Sequence, residues 1–243
     1  MPRPSDAFGH MVRDHFRSGD AVEVIERDDG YIDTTAGAEA YFAPHDVWPP
    51  TKQAAIALVR GRVLDVGCGA GRVCLHLQER GLDVVGIDIS PLAVETCRER
   101  GVRDACVLSI TRVSRSLGIF DTVVMMGNNF GLFGNRQRAR WLLRRLAGMT
   151  TADARIIAET MDPYMSDNPD HAGYHDCNRR RGRMGGQIRL RVRYKSHVGA
   201  WFDYLFVSKA EMSEILDGTG WRVAQFLESG GPGYIAVIEK AAT

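Results

Sequence analysis

This sequence has few lysines, no CxxC pair and no long hydrophobic run, and each absence narrows what the chain can be. Lys52, Lys195, Lys209 and Lys240 are the only lysines among 31 basic residues, set against 30 acidic ones. A net charge of +1 gives no overall field that would draw the chain onto nucleic acid or an anionic membrane. Cys68, Cys74, Cys97, Cys106 and Cys177 are odd in number, so free thiols in a reducing compartment are expected rather than a disulfide framework. No apolar run approaches the ~20 residues that a membrane span requires. The opening MPRPSDAFGH also lacks the apolar centre of a signal peptide. A cytoplasmic protein with no membrane partner is the expectation.

What the sequence does contain is a regular alternation. At 243 residues it is long enough for one large α/β domain, or a core with one insertion. RVLDV (62–66), DVVGIDI (83–89), DACVL (104–108), FDTVVMM (120–126) and ARIIAET (154–160) read as strands. Helical patterns at 71–81, 91–101 and 135–149 separate them. Ser90 before Pro91 is an N-cap followed by proline at the first helical position. Ser208 with Glu211 forms a capping box. WRVAQFLE and GYIAVIEK, joined through Gly230–Gly233, predict an antiparallel pair. This rhythm implies an α/β, Rossmann-like, doubly wound and mostly parallel sheet.

Two regions break the alternation. Residues 1–50 carry aromatics and turn residues, and read as an N-terminal lid segment. Residues 162–186 read as a long irregular loop, and QIRLRVRYK with WFDYLFVS reads as a β-hairpin insertion behind it. The expected organisation is a lid at 1–50, a core at 51–161, a loop and hairpin cap at 162–207, and completion of the core at 208–243.

In LDVGCGAGR, glycines at 67, 69 and 71 follow a buried strand directly. They allow a tight turn, let a ligand approach the backbone, and open a helix whose first amides favour an anionic group. Asp88 ends the next strand, where a carboxylate can accept both hydroxyls of a ribose. A dinucleotide fingerprint would be GxGxxG, but Arg72 stands where its third glycine would fall. Asp65, two residues before Gly67, would repel a pyrophosphate and could pair with an α-ammonium.

With these residues the chain resembles the class I S-adenosylmethionine-dependent methyltransferases. VLDVGCGAGR matches their first cofactor motif, VVGIDIS carries the ribose acid, and GIFDTVVMMG matches the fourth strand. The resemblance implies a seven-stranded sheet with a C-terminal antiparallel hairpin. It implies S-adenosyl-L-methionine as cofactor and S-adenosyl-L-homocysteine as product. It puts Asp65, Gly67, Cys68, Gly69 and Arg72 at the methionine end, Asp88 on the ribose and Ile89 on the adenine. Ser109 and Ile110 stand where the family often has an acid touching the adenine amine. Met126, Gly127 and Asn128 flank the methyl end.

The substrate should sit above the carboxyl ends of the fourth and fifth strands. Methyl transfer needs alignment, and a base where the nucleophile starts protonated. The candidates are His171, His175, Glu159, Asn129 and Tyr31, with His197 at the hairpin tip as a further base. Tyr41, Phe130 and Arg191 are expected to line the pocket. HAGYHDC resembles a metal run but lacks a second ligand pair, so no metal is expected. Arg189, Arg191, Arg193 and Lys195 share one strand face. That face is either a solvated surface or a site for a carboxylate- or phosphate-bearing substrate.

The expectation is methylation of an oxygen or nitrogen on a small molecule, of the kind of a specialised metabolite with an anionic group, by a monomer or homodimer. Two alternatives stay open: an RNA methyltransferase using the arginine strand, and a non-catalytic module that retains the cofactor.

Overall fold

In the computed structural model, residues 5–19, 21–34, 38–228 and 230–241 are described. The central strands are continuous apolar runs because both of their faces are covered. β3 (Val63–Val66) and β4 (Val84–Asp88) are buried at every position. Before them in the chain come α1 (Ala7–Ser18), β1 (Val24–Arg27), β2 (Ile32–Thr34) and α2 (Pro50–Ala57). Interleaved with and following them are α3 (Arg72–Glu79), α4 (Pro91–Glu99), β5 (Ala105–Val107), β6 (Phe120–Met125), α5 (Arg136–Ala147) and β7 (Thr150–Met161). The remainder comprises α6 (Pro169–Arg180), β8 (Gln187–Tyr194), β9 (His197–Val198), β10 (Phe202–Leu205), α7 (Lys209–Leu216), β11 (Trp221–Glu228) and β12 (Gly233–Lys240).

The main sheet has seven strands in the order β11-β12-β7-β6-β3-β4-β5. Its pairs from β7 to β5 are parallel, while β12 runs antiparallel to both β7 and β11. The strand order therefore reverses between β3 and β6, which opens a crevice at their carboxyl ends. Alternate side chains feed two cores. Leu64, Val66, Val123 and Met125 pack with Leu142, Leu146 and Ile215 on one face. Val63, Val84 and Val124 pack with Ile56, Leu77 and Val94 on the other. Ser90 caps α4 by accepting from the Ala93 amide at 3.0 Å, and the Ser208–Glu211 capping box opens α7.

The segments outside the alternation meet in a second sheet, ordered β10-β8-β1-β2 with β9 paired to β8. β8 pairs antiparallel with β10, as the hairpin reading expects, and it also takes β1 on its other edge. Residues 162–186 are not an irregular loop. Asn168 caps a 12-residue helix there, with its side chain accepting from the Asp170 amide. α1 lies between this sheet and α4, packing Met11 and Val12 with Ala93 and Tyr194.

Candidate functional site

The floor of the crevice is the loop from β3 to α3. Gly67 and Gly69 adopt left-handed φ values of +73° and +52°, which only glycine reaches freely. The Gly67 and Cys68 amides donate to the Ile87 carbonyl at 2.8 and 3.0 Å. From the far side, Asn129 Nδ2 donates to the Val66 and Gly67 carbonyls at 2.9 and 3.0 Å. A Cβ on Gly67 would come within 2.5 Å of that nitrogen. A Cβ on Gly69 would touch the edge of Phe8, at 3.6 Å. The backbone at Gly69 is thus bare on the side that α1 covers.

Two buried carboxylates stand beside the loop. Asp88 accepts from the Gly69 amide at 3.0 Å through Oδ2 and from the Ser90 amide at 2.9 Å through Oδ1. Burial nevertheless pushes its carboxyl up to about 6, with those amides opposing. Asp65 is raised further by burial, to about 7, although the Cys74 thiol donates to it at 3.1 Å. Buried carboxyl groups with no cation paired to them among the described residues suit a ligand that brings hydroxyls and an ammonium. Beneath them Cys68, Cys74 and Cys97 are free, buried thiols that fill the space under the loop. The Ile89 side chain is 75% exposed, an apolar surface just beyond Asp88. Ser109 caps the short 3-10 turn at 110–112, and Ile110 turns into the core.

The roof over the β6 and β7 ends brings together residues that no motif announces. Tyr204, on β10, donates its hydroxyl to the Asn128 carbonyl at 2.6 Å and lays its ring against Gly131. Tyr41 donates to Glu23 Oε2 at 2.8 Å and meets Phe8 edge to face, ring centroids 5.3 Å apart. Burial, with Glu23 second, pushes the Tyr41 hydroxyl far above its ordinary range. Burial does the same to Tyr204, with Glu159 and Glu23 adding to it. Both tyrosines are therefore neutral hydrogen-bond donors. Glu159, at the end of β7, accepts from the Gly127 amide at 2.6 Å and pairs with Lys52 Nζ at 2.8 Å. Arg72 donates to the Ala40 carbonyl at 2.5 Å, lies over the Trp48 ring, and feels Glu159 and Asp65 electrostatically.

Several expected site residues sit elsewhere. Phe130 is a correction: it is fully buried against Phe133, so it is core and not pocket wall. The Asn129 amide is committed to the two β3-end carbonyls, which makes it a clamp on the loop rather than a catalytic group. Met126 is buried with the α2–α3 core. Arg191 is the other correction. It forms a bidentate pair with Glu26 at 2.8 Å for both bonds. Its strand neighbours are paired as well: Arg193 with Glu26, Arg189 with Asp203, and Lys195 with Asp14. Two carboxylates on the neighbouring strands, Glu26 and Asp203, thus offset most of the charge of these three arginines.

His171 takes part in a 2.8 Å hydrogen bond with Ser166 and meets Tyr31 edge to face, at the outer end of the second sheet. His175 is buried against Tyr164, and that burial holds its imidazole below the ordinary range. His197 stacks on His10. A separate cavity of about 530 Å³, lined by Tyr164, Arg179, Arg183, Gln187 and Glu211, includes no residue of the glycine loop or the Asp88 turn.

Comparison with known proteins agrees with this arrangement. Residues 63–150 match a family described as the methyltransferase domain. An S-adenosylmethionine-dependent methyltransferase from Bacteroides fragilis, solved with S-adenosyl-L-homocysteine, is 26% identical with a TM-score of 0.82. That match covers 100% of this chain and 98% of the other. The magnesium-protoporphyrin O-methyltransferase of Rhodobacter capsulatus is 38% identical over 69 residues, 27% of this chain and 31% of that protein. The 2-heptyl-1-hydroxyquinolin-4(1H)-one methyltransferase of Mycobacteroides abscessus is 36% identical over 72 residues, 27% of this chain and 32% of that protein. The chain thus matches about a third of the length of these curated relatives. With the seven-stranded topology and its C-terminal antiparallel hairpin, this chain has the Rossmann-like fold of the S-adenosylmethionine-dependent methyltransferases and carries a methyltransferase domain at residues 63–150.

Proposed function

We propose that this chain transfers the methyl group of S-adenosylmethionine to an oxygen or nitrogen atom of a small molecule. The observation that carries the reading is the pair of buried carboxyl groups, Asp65 and Asp88, beside a loop whose Gly67 and Gly69 take left-handed conformations. Asp88 can take ribose hydroxyls with the lone pairs its two amide bonds leave free, and Asp65 can take the α-ammonium. Gly127 and Asn128 would stand beside the reacting end, and Ile89 would lie against the base.

When bound, the sulfonium supplies an activated methyl group. The protein's share is alignment and exclusion of water. Phe8 and Tyr41 from the N-terminal segment cover the loop, and Tyr204 from the insertion covers the β6 end. A roof of this kind encloses a small acceptor better than it admits a polymer. The pairing of Arg189, Arg191 and Arg193 with Asp203 and Glu26 also weakens the argument for RNA.

Calorimetry with S-adenosylhomocysteine tests the reading: binding is expected at one site per chain, with none for NAD. Asp88→Asn should weaken it by roughly 1–3 kcal/mol, because the amide nitrogen presents a donor to a backbone donor and to the ribose. Unchanged affinity in that variant, or tight NAD binding, would count against the assignment. S-adenosylhomocysteine release across a panel of phenols, alcohols and amines then identifies the acceptor.

A further inference from the structure

We infer that Cys68 and Cys74 form a dithiol that a hydroperoxide converts to a disulfide, and that this bond weakens the hold of the glycine loop on the cofactor. The effect on binding rests on the cofactor reading above, whereas the disulfide itself does not.

The placement of the sulfurs carries the inference. Cys68 stands between Gly67 and Gly69, and Cys74 lies in the first turn of α3. Both pack on Gly86 of β4, where a methyl group would sit 3.0 Å from Cys74 Sγ and 3.1 Å from Cys68 Sγ. Two sulfurs that fill one methyl-sized gap are direct neighbours. A third closes the group from α4: Cys97 Sγ stands 2.6 Å from where a methyl on Gly71 would be. Three of the five cysteines, from the loop, α3 and α4, thus converge beneath the cofactor motif. Cys74 and Cys97 have no exposed surface, while Cys68 keeps 8%, so Cys68 is the sulfur that a reagent meets first.

The third thiol supplies the base. Contact with Cys68 and then Cys74 holds the Cys97 thiol below its ordinary range, against burial, with Arg100 and Arg98 helping. Cys97 can therefore draw the proton from Cys68, and the thiolate is the reacting form. The Cys68 sulfur attacks one oxygen of hydrogen peroxide, the oxygen–oxygen bond breaks, and the departing hydroxide takes the proton that Cys97 held. Cys74 sulfur then attacks the Cys68 sulfenic acid, forming the sulfur–sulfur bond and expelling a second hydroxide, which takes the Cys74 proton. Two thiols are oxidised by two electrons, and the peroxide is reduced to two waters.

The bond would act on both carboxyl groups of the floor. A disulfide holds its sulfurs about 2 Å apart, so Cys68 is drawn toward α3. The bonds on either side of it set the loop: the Cys68 amide donates to the Ile87 carbonyl, and the Gly69 amide donates to Asp88, each at 3.0 Å. The Cys74 thiol that donates to Asp65 at 3.1 Å is consumed in the same step. In a reducing compartment such a bond is transient, which is the behaviour of a redox-sensing pair.

The linkage can be read directly, because trypsin leaves the three sulfurs on separate peptides, 63–72, 73–80 and 81–98. The native chain, treated with hydrogen peroxide in the absence of ligand and then blocked with iodoacetamide, is expected to join 63–72 to 73–80. Its affinity for S-adenosylhomocysteine by calorimetry should fall about tenfold, the scale of one lost hydrogen bond. Dithiothreitol should restore it, which methionine oxidation would not allow. A Cys106→Ala, Cys177→Ala double variant, with both changes away from the cluster, should respond as the native chain does. Peptides left unlinked, or linked through 81–98, would overturn the inference. So would a linked chain that binds as tightly as the reduced one, or a double variant that no longer responds. A reduced native chain that binds no S-adenosylhomocysteine overturns the cofactor reading instead, and the dithiol then stands or falls on the peptides alone.

Discussion

Asp6, at the head of α1, and Ser90, at the head of α4, share a hydrogen bond of 2.8 Å across 84 positions of chain. The same carboxylate accepts from the Leu92 amide at 3.1 Å and from the Gly9 amide at 2.9 Å. One side chain thus caps its own helix and holds the start of another. Because Ser90 follows the turn from Asp88, this clasp is what seats Phe8 over the glycine loop.

Removing the clasp should loosen the roof without unfolding the floor. Asp6→Ala is expected to destabilise the chain by about 1–2 kcal/mol, the usual cost of a lost N-cap with a second partner. It should also raise hydrogen exchange in residues 7–18 well above that in β3 and β4. Equal exchange in the variant and the native chain would show that α1 is held by its apolar face alone.

Cofactor affinity should rise with pH. Burial holds the free Asp65 and Asp88 carboxyls protonated up to about 7 and about 6. A ligand that brings an ammonium and hydroxyls favours the ionised forms, so binding releases protons. S-adenosylhomocysteine affinity should therefore increase from pH 5 and level off above pH 7. Calorimetry at pH 6 in buffers of different ionisation enthalpy measures the released protons directly. The ligand-free fold shows the opposite trend, because a raised carboxyl stabilises the protonated protein and that contribution fades as pH climbs through 7.

Two stacked histidine pairs make the N-terminal segment acid-sensitive. His10 on α1 stacks on His197 of β9 with centroids 3.6 Å apart. His45, in the 3-10 turn at 45–47, stacks on His76 of α3 at 3.8 Å. Burial, then the partner ring and the nearby arginine, lowers the basicity of His10 and of His76, with Asp6 and Asp14 opposing at the first and Glu79 at the second. A depressed folded-state value means that the unfolded chain binds protons more readily. The contribution is whole above about 6.5 and is lost as pH falls below it. Hydrogen exchange at pH 7.5 and 5.5 should show α1 and the 45–57 segment opening at the lower pH. A His10→Gln, His76→Gln double variant should flatten that response.

Gly67→Ala should damage both fold and binding. Its φ of +73° is left-handed, and the new methyl would approach Asn129 Nδ2 at 2.5 Å and Leu132 at 2.9 Å. The strain is expected to cost about 1–3 kcal/mol, visible as a lower melting temperature. Because the methyl displaces the Asn129 clamp, S-adenosylhomocysteine binding should weaken more than the melt alone implies.

The parts of this protein that could be read from its residues are those where burial is continuous and punctuation is strong. β3 and β4 are buried at every position and apolar but for Asp65 and Asp88, Ser90-Pro91 marks a helix start, and glycines with left-handed φ mark the loop. α6 escaped because PDHAGYHDCNRR has no apolar period. Only His175 and Asn178 are buried on it, and its middle is a glycine. Phe130 misled for the opposite reason: an aromatic in a glycine-rich loop looks available, and it is packed at the centre of a core. Tyr204 could not be found at all, since β10 meets the loop after β6 only in three dimensions. The arginine strand left open a solvated face or an anionic substrate, and the carboxylates it meets are Glu26 and Asp203 of the same chain.

The pairing of Val24–Arg27 with residues 190–193 sets an order of events at the ribosome. β1 pairs locally with β2, but its other edge takes β8, more than 160 positions behind it in translation. Until β8 is made, β1 lacks one of the two strands it pairs with, while α1 can already meet α4 and the β3–β4 floor can close around its local contacts. The roof is completed by segments from both sides of the core in the chain, so a chain cut before β8 would keep the β3–α3 glycine loop and lose the strands that cover the β6 end.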